Sequence, residues 1–99
     1  MLDVEKAKAE LEQKSYEQVQ ISTAWTWGSR ACACYQKVVE SDPMAKLLWW
    51  TMGAEYHTES VEHASQSGDG APELVKQIQE EIRAYQEKAF ADMESTFGG

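Results

Sequence analysis

Between Gln18 and Gln36 the chain carries a single charge, Arg30. On the 3.6-residue helical period, the side chains around this stretch fall into two rows. Val19, Thr23, Trp27, Ala31, Cys34 and Val38 make one; Ile21, Trp25, Gly28, Cys32, Tyr35 and Val39 make the other, displaced by about half a turn. A helix apolar on two sides has to be covered on two sides. The cover comes either from the rest of the chain or from a second copy, and that choice frames everything else in the sequence.

The rest of the chain is divided by its two prolines. In "ESDPMAKL", Asp42 is placed to cap a helix whose first position is Pro43, where the missing N–H costs nothing. Pro72 opens a second helix after the loop "SQSGDGA", and Glu73 suits the positive end of its dipole. The chain closes on "STFGG", a glycine end of the kind that stops helices in a left-handed cap. Alternating runs bounded by hairpin turns, the mark of strands, do not occur. The expected fold is therefore all-α: a three-helix bundle over 3–40, 43–66 and 72–97, within one helical domain spanning 1–99. The first helix is long, and a bend in it is expected near residues 20–28, at Gly28 and the Ser and Thr residues around it.

The third segment has one apolar stripe: Val75, Ile78, Ile82, Tyr85 and Ala89, continued by Met93 and Phe97. Lys76 with Glu80, and Lys88 with Asp92, stand four apart on its charged back, and each such pair adds only about 0.2–0.5 kcal/mol. In the middle segment, Leu47, Trp50, Ala54, His57, Val61 and Ala64 make a seam while Leu48, Met52 and Tyr56 point elsewhere. Trp49 and Trp50 are adjacent and cannot share one narrow stripe. The apolar surface thus exceeds what three helices need to cover one another. Interface residues are expected at Ile21, Trp25, Trp27, Leu48, Trp49 and Met52, because tryptophan dominates interface energetics.

Charge narrows the function further. Residues 1–50 hold seven acids and six bases, whereas residues 51–99 hold ten acids and three bases, so most of the net −8 lies in the second half. A phosphate-binding surface needs clustered Lys and Arg, which excludes direct nucleic-acid binding from the expectation. The N-terminus is charged and does not read as a signal peptide, and the longest charge-free run, Gln18–Ser29, falls short of the roughly 20 apolar residues of a membrane span. Cys32 and Cys34, two apart on a helix, point to opposite sides and read as reduced thiols of a cytoplasmic protein. Neither a glycine-rich phosphate loop nor a nucleophile–histidine–acid pattern is evident, so no cofactor and no enzymatic activity are expected.

One cluster asks for separate treatment. "GAEYHTESVEHA", Gly53–Ala64, holds both histidines and three glutamates. Glu55, Glu59 and His63 are spaced i, i+4, i+8 and share one helical face. In "ESVEHA" the pattern resembles the Glu-x-x-His motif of ferritin-like proteins, which would imply a helical-bundle metal site built on Glu55, Glu59 and His63. The departures are specific: Ser60, not Glu, stands three before His63, and Ala54 stands three before His57. If the first two helices form an antiparallel hairpin turning near Asp42, residues 20–28 face residues 55–63, and that part of the first helix offers no acid.

The leading expectation is a small acidic helical protein that acts by protein–protein binding. It would self-associate as a homodimer, or inhibit or sequester a basic partner in the manner of a phage or mobile-element inhibitor. The alternative is the ferritin-like metal protein.

Overall fold

The structure is a computed structural model that describes residues 2–98. Its helices are α1 (Val4–Glu40), α2 (Pro43–Ser65) and α3 (Pro72–Phe97), and no strand occurs among the described residues. The three-helix, all-α expectation holds, with each boundary within a residue of its expected place. Asp3 caps α1 by accepting from the Lys6 amide at 3.0 Å, and Asp42 caps α2 by accepting from the Ala45 amide at 3.0 Å. α1 is a continuous helix through residues 20–28, the stretch expected to hold a bend. There Thr23 and Thr26 turn their hydroxyls back onto the carbonyls of Val19 and Ser22. The glycine end differs from expectation. Gly98 has φ −87, not a left-handed value, and its amide donates to the Glu94 carbonyl at 2.8 Å. Gly99 lies outside the described residues. Among the described glycines the left-handed one is Gly68, φ +58, in the turn between α2 and α3, where a Cβ would also run into the Glu17 carboxylate.

α1 is the axis of the molecule: α2 and α3 pack mainly on it and touch each other little. The hairpin of α1 and α2 has the pairing expected from its turn at Asp42. Gln20 meets His63, Ala24 meets Ser60 and Trp27 stacks on Tyr56 with ring centroids 5.4 Å apart.

What brings these helices together is small residues. On α2 the buried line is Lys46, Gly53, Ser60 and Ala64, displaced from the expected seam of larger side chains. Opposite it, Ala24, Gly28 and Ala31 of α1 are buried. With so little side chain between the backbones, Ser60 Oγ donates to the Ala24 carbonyl at 2.7 Å. Gly53 lies against the ring of Tyr35, where an added Cβ would come within 2.8 Å. The large residues flank this line. Tyr35 is fully buried, with Trp50 and Phe90 continuing the aromatic run towards α3.

α3 covers the second row of α1 with Ile78, Ile82 and Ala89, all buried, and with Val75 and Met93 half-buried. Tyr85 and Phe97 of the expected stripe are exposed. The expected Lys88–Asp92 pair is replaced by a longer-range one. Asp92 Oδ2 sits 2.6 Å from Nζ of Lys46, and the same ammonium donates to the Val38 carbonyl at 2.7 Å. A lysine of α2 thereby caps the last turn of α1 and ties it to α3. The Lys76–Glu80 pair is present at 4.0 Å on the surface.

Candidate interaction surface

Most of the two rows of α1 is covered by α2 and α3, with Val19, Trp25 and Val39 left exposed, and the helix has a third side. It carries Val4, Ala7, Leu11, Gln18, Ser22, Trp25, Ser29 and Ala33, all exposed, with Gln36 half-buried at its far end. Steps of three, four and seven place these residues on one face. The face carries no charge; Lys8 and Lys14 lie at its edges.

This face has two parts. The first is an arm. Residues 2–16 are all exposed, and the first buried residue of α1 is Gln20. The body begins where the Tyr16 hydroxyl donates to Gln66 Oε1 at 2.8 Å and Glu17 lies beside Gly68 and Gly70. Before that point, about three turns of α1 project with nothing packed on them, and Leu11 is 66% exposed. The described chain is accordingly extended, 71 × 19 × 15 Å.

The second part is a groove between α1 and α3, a cleft of about 460 Å³. Trp25, Gly28, Ser29, Cys32, Ala33 and Gln36 line one wall and Ile78, Glu81, Ile82 and Tyr85 the other. Both walls repeat at helical spacing, the α1 wall is mostly small side chains, and Glu81 supplies the one charge. Burial, reinforced by the neighbouring Glu81 carboxylate, pushes the Cys32 thiol above its ordinary range, and burial does the same for Cys34. Both are held as thiols rather than thiolates, a poor state for nucleophilic chemistry.

Of the residues expected at an interface, Trp25 lines this groove and is 44% exposed. Leu48 is exposed on α2, away from α1 and α3. Trp27, Trp49 and Met52 are half-buried at the edges of the α2 contacts. Ile21 is inside the bundle, 4% exposed and against Gly70, because the loop into α3 folds over it. The arm and the groove were not singled out from the sequence. Val4, Ala7 and Leu11 make a thin stripe at helical spacing, and the structure shows that they continue the open side of the residues around Trp25.

The Glu/His cluster sits on the other side of the hairpin. His63 donates from Nδ1 to Gln20 Oε1 at 2.6 Å, and its Nε2 lies 3.8 Å from Glu59. Glu55 is exposed, a further turn along α2. Among the described residues no three His, Cys, Asp or Glu side chains converge on a point where an ion would sit. His57 is instead turned to the core, hydrogen-bonded through Nδ1 to the Tyr35 hydroxyl at 3.3 Å. Burial, with Arg83 nearby, holds its pKa below the ordinary 6.5, so the ring is neutral.

Comparison with known protein families, with curated proteins and with solved structures finds no match in any of the three. No described helix is long and apolar enough to cross a membrane.

Proposed function

We propose that this protein acts by binding protein rather than by catalysis, and that its first partner is itself. The observation that supports this reading is the third side of α1: an uncharged face that continues from the projecting arm into an open groove of the body. Val4, Leu11 and Trp25 stand exposed along it; exposed apolar residues on one uncharged face favour an interaction site, and a twofold homodimer is the commonest way to close one. The arm adds weight. An unpacked helix end frays at little cost, so contact with a partner is what would hold it ordered.

The acidic second half supports an additional role once α1 is occupied. Glu55, Glu59, Glu62, Glu80 and Glu87 are exposed on α2 and α3, on surfaces that the α1 face does not use. They suit a basic protein, including a nucleic-acid-binding one of the kind that mobile-element inhibitors cover, with attraction that weakens as salt rises.

Sedimentation equilibrium over a wide concentration range tests the self-association reading. A reversible dimer is expected; a monomer at every concentration would refute it.

A further inference from the structure

We propose that the dimer is antiparallel and that each arm is the ligand of the other chain's groove. This rests on the self-association reading and adds the geometry. The groove runs along α1 from Trp25 to Gln36, 12 positions, and the arm from Val4 to Ser15 is also 12 positions long. The match in length is about 18 Å at 1.5 Å per residue. The arm cannot reach the groove of its own chain, because both belong to one uninterrupted helix. Only a second copy can bring them together.

The direction follows from which side chains would meet. Parallel pairing sets arm against arm and groove against groove, leaving the small residues Gly28, Ser29 and Ala33 facing their own counterparts across a void. Antiparallel pairing about an axis near Gln20 sets Leu11 against Ser29, flanked by Gly28 and Cys32, with Ala7 against Ala33 and Val4 against Gln36, so the largest apolar side chain of the arm meets the smallest part of the groove. Because arm and groove share one face of one helix, a twofold axis that seats one arm seats the other at once, and the assembly closes at two chains. The partner's arm then lies along both α1 and α3 as a fourth helix of the bundle. In that register Lys14, at the α3-ward edge of the arm, comes within about a turn of Glu81 of the opposite chain, the one charge in the groove.

The test uses the full chain and two variants at exposed sites. Leu11→Glu damages the arm and Ala33→Glu damages the groove, and circular dichroism should show that each keeps the helix content of the wild type. By sedimentation, each variant alone should dimerise at least tenfold more weakly than the wild type. An equimolar mixture of the two should recover dimer, because one intact arm then meets one intact groove. Leu48→Glu, at an exposed leucine away from this face, should dimerise like the wild type. A wild-type dimer that survives Leu11→Glu would overturn the arm-in-groove geometry while leaving self-association in place. So would two weakened variants whose mixture gains no dimer. A wild-type chain that is monomeric throughout would remove the self-association reading itself.

Discussion

The two halves of α1 are one helix in two situations. From Gln20 to Val38 it is flanked by α2 and α3 on two of its sides, with Ala24, Ala31, Tyr35 and Val38 fully buried. From Val4 to Ser15 every residue is exposed. Neither half has an internal proline, but the free half holds the Asp3 cap and the good helix formers Ala, Glu, Lys and Leu, whereas the enclosed half is rich in Ser, Thr and Trp and holds Gly28. The difference is in what each half offers a neighbour. The enclosed half presents small residues where backbones approach and one large ring where they diverge. The free half presents a narrow stripe, Val4, Ala7 and Leu11, among charges. α1 is continuous through both halves, but only packing fixes a helix in place.

Four measurements sharpen or break that contrast. Removing the ring at the centre of the enclosed half should have the largest effect. Tyr35→Ala is expected to cost about 3–5 kcal/mol, since the ring is fully enclosed by Gly53, Trp50 and His57 and its loss leaves a cavity. Urea unfolding measures it, and a cost below about 1 kcal/mol would mean that the core is looser than described.

Next is the clamp at the end of the enclosed half. Lys46→Met leaves the Val38 carbonyl and Asp92 without their shared ammonium. A loss of about 2–3 kcal/mol is expected by the same method, below the full range for broken buried pairs because Asp92 keeps some access to water. An unchanged midpoint would show that the clamp is incidental.

The pH dependence of stability is smaller. The fold holds the pKa of His57 below 6.5, so the unfolded chain binds this proton at a higher pH than the folded one. The stabilisation from a neutral His57 is complete above about pH 6.5 and is lost as pH falls below it. The melting temperature should therefore drop between about pH 7.5 and 5.5. His57→Gln should flatten that drop, and an equally steep fall in the variant would place the cause elsewhere.

The smallest effect belongs to the arm. At concentrations low enough for a monomer, Leu11→Glu should change stability by no more than about 0.5 kcal/mol. In the same monomer, amide hydrogens of the arm should exchange far faster than those of residues 24–38. Protection of the arm in a monomer would show that the two halves of α1 differ less than their surroundings suggest.

The elements were legible because their signals are local. Asp42 before Pro43, and Pro72 after a glycine-rich loop, set boundaries by chain stereochemistry alone, and the 3.6 period set the helix type between them. The hairpin pairing of residues 20–28 with 55–63 followed from the position of the turn and the constant rise of a helix. The resemblance to ferritin-like proteins was a likeness of spacing on one helix, and spacing does not supply the facing ligands. In the structure Gln20, not an acid, occupies the position opposite His63.

Other features depended on which helix faces which, and at what distance. The buried line of α2 runs through Gly53, Ser60 and Ala64 because close approach selects small side chains, whereas a count of hydrophobic residues selects large ones; Lys46 joins it through its clamp on Val38 and Asp92. Asp92 pairs with Lys46 rather than Lys88 because three chain segments far apart in sequence end at the same level of the bundle. Ile21 and Trp25 stand in the same row of α1, yet Ile21 is enclosed by the loop before α3 and Trp25 is left at the open edge of the groove. The sequence by itself determined three helices and a surplus of apolar surface on the first. Which part of that surplus stays open was decided by the tertiary structure, because two neighbours can shield only part of the girth of a central helix and their length, not its own, sets where cover ends.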